Sequence, residues 1–228
     1  MNHANDILNL TDYPPLQMSL FAVGCLMWVA AYAIIIHKGL KHKFIEMPVF
    51  AAASNFAWEF LWSTFFETDM GHFLIWTYRA WLLLDIFIFY MVLKYGVKNV
   101  FTPQIKVHFK FFTLTAMFGM MVLYYLFTHG GFDTTIGANS AYIAQLFISG
   151  LYVILILQQK DISGFSMWVA YLRTIGTGLN TVFMLIHYPQ NHFLHAMGII
   201  AFILDAIYIT LFTLRRKNRI KILVNPEQ

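Results

Sequence analysis

The run Leu194-His195-Ala196-Met197-Gly198-Ile199-Ile200-Ala201-Phe202-Ile203-Leu204-Asp205-Ala206-Ile207-Tyr208-Ile209-Thr210-Leu211-Phe212-Thr213-Leu214, closed by Arg215-Arg216-Lys217, decides the fold class. As a helix rising about 1.5 Å per residue it is long enough for the roughly 30 Å of hydrocarbon in a bilayer. Asp205 is its one acid, and the basic cluster that follows is the usual anchor at a headgroup layer. Six earlier runs are of similar character: Leu16 to Ile36, Met47 to Phe66, Phe73 to Leu93, Phe111 to Thr128, Ala141 to Leu157 and Phe165 to Ile186. The chain has 228 residues, 59% hydrophobic and 11% charged, against about 45–50% and 25% in an ordinary soluble domain. Its mean hydropathy is +0.63. Seven crossings occupy about 140 residues, which leaves short loops and no room for a second, water-soluble domain. The expectation is an all-α membrane protein of seven transmembrane helices, a single domain over residues 1–228.

A net charge of +4 would by itself suit a nucleic-acid partner, but the distribution of the charges follows membrane topology. Of fifteen Lys and Arg, thirteen fall in four segments: Lys38, Lys41 and Lys43; Lys94, Lys98, Lys106 and Lys110; Lys160; and Arg215, Arg216, Lys217, Arg219 and Lys221. The loops between them carry Glu67, Asp69 and Asp133 instead. The positive-inside bias therefore places residues 1–15 outside, as a short N-terminal segment without signal-peptide features, and the basic tail 215–228 in the cytoplasm. No nucleic acid is expected, and membrane lipids are the surroundings. Cys25, the one cysteine, rules out an intramolecular disulfide.

His72-Phe73-Leu74 recurs as His192-Phe193-Leu194, and Leu84-Asp85 as Leu204-Asp205, both at an offset of 120 residues. Charged residues are rare at membrane depth, so a matched aspartate points to a parallel 3+1+3 repeat, with the fourth span as connector. A central site would then lie between the two triplets.

An ionisable side chain at the bilayer centre costs on the order of 3 kcal/mol on insertion scales, so each needs a partner, a cavity or a task. Five qualify: Glu59, Arg79, Asp85, Arg173 and Asp205, with Asn55, Gln145 and Asn180 as neutral companions. Asn55 and Glu59 share one helix face, as do Trp58 and Trp62, and Arg173, Thr177 and Asn180 form a second polar stripe. Ion pairs such as Asp85 with Arg173 would absorb part of this set. At least one carboxyl is then left over, and the surroundings favour its neutral, proton-donating form. Trp58, Trp62, Trp76, Trp81, Tyr90, Trp168, Tyr171 and Tyr208 fall near the same residues, and a dry aromatic face stabilises a cation by roughly 2 kcal/mol. An acid beside such faces suits carbocation chemistry.

The last span lacks the lysine that a retinal Schiff base needs, and no HExxH, Walker or GxSxG motif occurs. Acid-rich diphosphate-binding motifs are missing too, so neither a metal nor another cofactor is expected. The histidines His187, His192 and His195 read as interfacial.

Asn55-Phe56-Ala57-Trp58-Glu59-Phe60, Trp81-Leu82-Leu83-Leu84-Asp85 with Tyr90 and Lys94-Tyr95-Gly96, Arg173-Thr174-Ile175-Gly176-Thr177 and Asp205-Ala206-Ile207-Tyr208 resemble one family. It comprises the small integral-membrane terpene cyclases of fungal meroterpenoid and indole-diterpene pathways, with their bacterial relatives. The resemblance covers almost the whole chain. It implies Glu59 and Asp205 as the two essential acids, and an enzyme that protonates an epoxide or alkene of a prenyl chain, closes rings through carbocations and releases a proton.

The expected function is thus cyclisation of a lipophilic, prenylated small molecule by general acid catalysis, without metal, an isomerase- or lyase-type reaction. Asn55, Arg79, Asp85, Arg173 and Asn180 are the supporting polar residues. Trp58, Trp62, Tyr90, Trp168, Tyr171 and Tyr208 are the expected cation-stabilising wall. The membrane would be cytoplasmic in a bacterium and the endoplasmic reticulum in a fungus. A proton-coupled seven-helix transporter is the alternative, although Pro103-Gln104 and Pro189-Gln190 fall in loops rather than inside spans, where hinges would be expected.

Overall fold

The computed structural model describes residues 7–100 and 102–217. Among these, secondary structure is helical throughout: α1 (Pro15–His42), α2 (Val49–Thr64), α3 (His72–Tyr95), α4 (Pro103–Val107), α5 (Phe109–His129), α6 (Ala138–Gln158), α7 (Met167–His187) and α8 (His192–Arg216). A 3-10 turn over Gly96–Asn99 extends α3. Local signals set these bounds. Pro15 opens α1 where its missing N–H costs nothing, and Lys43 closes it in the left-handed region at φ 49°. The Asn191 side chain accepts from the Leu194 amide at 3.1 Å and caps α8.

Six helices are long and apolar enough to cross a membrane: α1, α3 with its 3-10 turn, α5, α6, α7 and α8. The run Met47 to Phe66 also forms a helix, but Pro48 starts it late and it stops at Thr64, after 16 residues. Its length of about 24 Å falls short of the hydrocarbon thickness. The short helix α4 replaces what the sequence suggested was loop. Met1 to Asp6, Arg219 and Lys221 lie outside the described residues.

Hydrogen bonds tie the connections together at each end. At the acidic end Tyr13 donates to Asp69 at 2.6 Å, Tyr78 to the Ile136 carbonyl at 2.9 Å and Asn191 to Asn139 at 2.8 Å. At the basic end Lys38 donates to the Phe165 carbonyl, Lys98 to that of Lys43 and Arg215 to that of Ile156.

Between the ends, α1 packs on α7 and α3, α2 on α3, α5 and α6, and α8 on α6 and α7. The α1–α7 crossing depends on two glycines. A Cβ on Gly176 would lie 2.8 Å from the Gly24 carbonyl, and one on Gly24 would lie 2.9 Å from that of Gly176. Large apolar side chains such as Leu26, Leu83, Phe87, Phe118, Leu126 and Phe202 stay exposed on the outside of the bundle. Water would penalise that surface, whereas lipid matches it.

Candidate active site

Toward the acidic end, α1, α2, α3, α6 and α7 surround a cavity of about 750 Å³ counting its open mouth. Phe21, Trp28, Tyr32, Trp58, Tyr78, Trp81 and Tyr142 supply an aromatic wall, and Asn55, Glu59, Gln145, Thr177 and Asn180 the polar groups. Several wall residues are fixed by hydrogen bonds. The Trp58 indole donates to Ser140 at 2.8 Å, and Ser140 in turn donates to Asp133. Asp133 also accepts from the Thr134 and Asn139 amides at 2.9 and 3.0 Å, where an acidic group suits the positive N-terminus of α6. Burial raises the Asp133 carboxyl's pKa, and these donors oppose the rise. Trp62 stacks behind Trp58 with ring centroids 6.1 Å apart. Gly137, at φ 71°, leaves room for it, because a Cβ there would strike the Trp62 indole.

Glu59 is 3% exposed on the cavity wall. Its Oε1 accepts from the Asn55 amide at 2.9 Å and from the Tyr32 hydroxyl at 3.2 Å. The same Asn55 nitrogen lies 2.7 Å from the Tyr32 oxygen and 3.0 Å from Asp85 Oδ2. Glu59 Oε2 and Asp85 Oδ1 are buried and have no hydrogen-bond partner. With Oε1 occupied as an acceptor, a proton on the neutral acid belongs on Oε2, the oxygen free to donate.

A second polar cluster lies outside this cavity. Arg173 and Asp205, 1% and 0% exposed, form an ion pair at 2.7 Å. The guanidinium carbon stands 3.9 Å from the Tyr152 ring centroid and 5.4 Å from that of Tyr208. The sequence suggested Asp85 as the partner of Arg173, and the structure gives that place to Asp205. The reason is register: Arg173 on α7 meets α8, whereas Asp85 on α3 faces α2.

Glu46, between α1 and α2, is 2% exposed. Burial pushes its carboxyl up to about 8, against the pull of Lys38, the Ser166 amide and Arg173. Since the folded value exceeds the unfolded 4.5, folding favours the protonated form. Stability should therefore fall as pH rises from 4.5 to about 8 and level off above that. Thermal unfolding in detergent should show a flatter pH dependence for Glu46→Gln, with a higher Tm than wild type at pH 8. An unchanged slope would exclude Glu46 as its source.

Of the residues singled out from the sequence, the cavity brings together Asn55, Trp58, Glu59, Trp81, Gln145, Thr177 and Asn180. Asp85 joins through Asn55 and Trp62 stacks behind Trp58, whereas Tyr208 lies with Arg173 and Asp205 in the second cluster, outside the cavity. Arg79 is exposed, donates to the Ser63 carbonyl at 3.3 Å and sits over Trp76, away from the cavity. Tyr90, Trp168 and Tyr171 are also outside, 57%, 71% and 43% exposed. Helix geometry explains all four. At about 100° per residue, Tyr90 and Trp168 stand five positions from Asp85 and Arg173, Arg79 six and Tyr171 two, each of which turns the side chain well off the inward face. Sequence reasoning missed Phe21, Trp28, Tyr32, Tyr78 and Tyr142. For Trp28 and Tyr32 a signal existed, since two aromatics four apart in an otherwise aliphatic span share one face.

Fold and cavity together define a multi-pass membrane protein with a buried carboxyl set in an aromatic pocket. Residues 7–218 match the Pyr4-like transmembrane terpene cyclases, and the chain belongs to that family. Terpene cyclase pyr4 of Aspergillus fumigatus is 24% identical over 221 residues, covering 88% of this chain and 87% of that protein. Terpene cyclase ascF of Acremonium egyptiacum is 35% identical over 91 residues, 37% of this chain and 30% of its own length. No solved structure matches.

Proposed function

We propose that the protein cyclises a lipophilic prenylated molecule by protonating its epoxide or alkene, with Glu59 as the proton donor. The observation that carries this reading is Glu59 itself, on the wall of an aromatic cavity, with Oε1 held by Asn55 and Tyr32 and Oε2 unpartnered. Proton transfer from Oε2 to an epoxide oxygen opens the C–O bond, and the alkene π electrons close the ring. The cation that migrates along the chain faces Trp28, Trp58, Tyr78 and Trp81. Loss of a C–H proton from the last cation returns the proton to the site, so the product is an isomer of the substrate. An epoxide requires a weaker acid than an unactivated alkene, and a carboxyl is a weak acid, which favours the epoxide. Asp205 acts by holding Arg173 in this reading.

The spans number seven, α2 being the short one, with the acidic end outside and the basic end cytoplasmic. The membrane is the cytoplasmic membrane in a bacterium or the endoplasmic reticulum in a fungus. Helix pairing supports the 3+1+3 repeat: exchanging α1 with α6, α2 with α7 and α3 with α8 turns the α1–α7 contact into α6–α2, α1–α3 into α6–α8 and α2–α3 into α7–α8. The two repeat-related aspartates nonetheless have unlike partners, Asn55 for Asp85 and Arg173 for Asp205. That asymmetry favours a cyclase over a carrier that would use both alike.

The test is purified protein in detergent with prenylated epoxides, assayed for cyclic products of unchanged mass. Addition of EDTA should leave turnover unchanged, because the sequence has no diphosphate-binding acidic motif. Activity lost to EDTA and restored by magnesium would overturn initiation by protonation, and proton-coupled uptake into proteoliposomes without product would favour the carrier.

A further inference from the structure

Resting on the reading of Glu59 as donor, we propose that Asp85 is its proton-sharing partner: the two carboxyls, bridged by Asn55, titrate as one pair that keeps Glu59 loaded. Glu59 Oε1 and Asp85 Oδ2 both lie within 3.0 Å of the Asn55 amide nitrogen. That nitrogen has two hydrogens, yet three acceptors approach it, the third being the Tyr32 oxygen. It cannot satisfy two carboxylates and the hydroxyl together. Each carboxyl also retains one buried oxygen with no partner.

Among the described residues, no ion pair reaches Glu59 or Asp85. The titratable group in contact with the pair is Tyr32 on α1, and the others on the cavity wall are Tyr78 on α3, donating to the Ile136 carbonyl, and Tyr142 on α6, bonded to Thr181. Helix α7 contributes Thr177 and Asn180, both neutral, and α5 presents Tyr124, which is bonded to Ser54 at 2.7 Å. The buried guanidinium of Arg173 is engaged by Asp205. Two carboxylates this close, without a cation, do not both ionise at neutral pH, so the pair keeps at least one proton there and gives up the second only at alkaline pH.

Only Glu59 of the two lines the cavity, so only Glu59 can pass that proton to substrate. Asp85 acts through Glu59 and is a positioning residue. In the form poised to react, Glu59 carries the proton and Asp85 the negative charge. That charge opposes premature loss of the Glu59 proton and stabilises the cation formed after transfer. Donation moves the proton from Glu59 Oε2 to the epoxide oxygen, and deprotonation of the final cation restores the singly protonated pair.

The pH dependence of turnover reads this coupling, which a purely structural Asp85 would not affect. Asp85→Asn removes the neighbouring charge, so Glu59 should lose its proton at lower pH. The alkaline limb of the rate profile should move toward acid by at least about one pH unit, and Asp85→Glu should restore it toward the wild-type position. Turnover above the new limb should fall about tenfold or more. If Asp85→Asn does not fold, infrared titration of wild type and Glu59→Gln replaces it. Two-step loss of the buried carboxyl band in wild type, reduced to one step in the variant, is the expected result. An unmoved alkaline limb in folded Asp85→Asn, or one identical step in both infrared titrations, overturns the pairing. If Glu59→Gln is fully active, the failure lies instead in the reading of Glu59 as donor.

Discussion

Glu59→Gln is expected to lower turnover at least about 100-fold while leaving the folded protein intact, the scale of a lost general acid. The substitution keeps the side-chain volume and an amide oxygen that can still accept from Asn55 and Tyr32, as Oε1 does at 2.9 and 3.2 Å. What it removes is the acidic proton on Oε2. An amide N–H cannot protonate an epoxide at neutral pH, so the loss belongs in the chemical step, with kcat and kcat/KM falling together. Substrate binding rests mainly on the aromatic wall and should change little. Helical circular dichroism and thermal unfolding in detergent separate a catalytic loss from a folding defect. Retention of wild-type kcat by a folded Glu59→Gln protein would remove this residue from the mechanism.

The span pattern was largely legible because apolar length is a local property. The runs at Phe73, Phe111, Ala141 and Leu194 correspond to α3, α5, α6 and α8 within a turn. Helix α2 is shorter than its apolar run because hydropathy registers neither that Pro48 delays its start to Val49 nor that the helix ends at Thr64 while Phe65 and Phe66 are still apolar. The site was only partly legible for a different reason. Which polar residues share a face within a helix is fixed by its period, and Asn55 with Glu59 followed correctly from that. Which helix each face meets depends on rotation and neighbours, and no local signal encodes it. Thus the sequence contains two acids and two arginines whose partners were open. Packing resolves them: Asp205 with Arg173, Asp85 beside Asn55, and Arg79 on the outside. Tyr32 escaped notice because α1 has no charged residue in its middle to draw attention to that face.

Breaking the Arg173–Asp205 pair from either side should produce the largest stability effects in the chain, and the two single variants should differ. Asp205→Asn leaves a guanidinium that is fully buried and cannot lose its proton at accessible pH. Its Nε and Nη1 already have no hydrogen-bond partner, so the charge depends on Asp205 and on the faces of Tyr152 and Tyr208. Removing one member of a buried pair typically costs about 3–5 kcal/mol. Arg173→Gln should cost less, because the carboxyl left behind can take up a proton and become neutral. The double variant Arg173→Met, Asp205→Leu removes both charges and should recover most of the lost stability, since apolar replacements of a buried pair are often neutral. Thermal unfolding in matched detergent measures all four proteins. Additive losses in the double variant would show that the two residues do not act as a pair. Turnover of the rescued double variant then decides what Asp205 does for the reaction. Near-wild-type activity would confine it to holding Arg173 and the α7–α8 packing. A stable but inactive protein would place the ion pair in the chemistry, acting on the charge of the nearby cavity rather than as a donor to substrate.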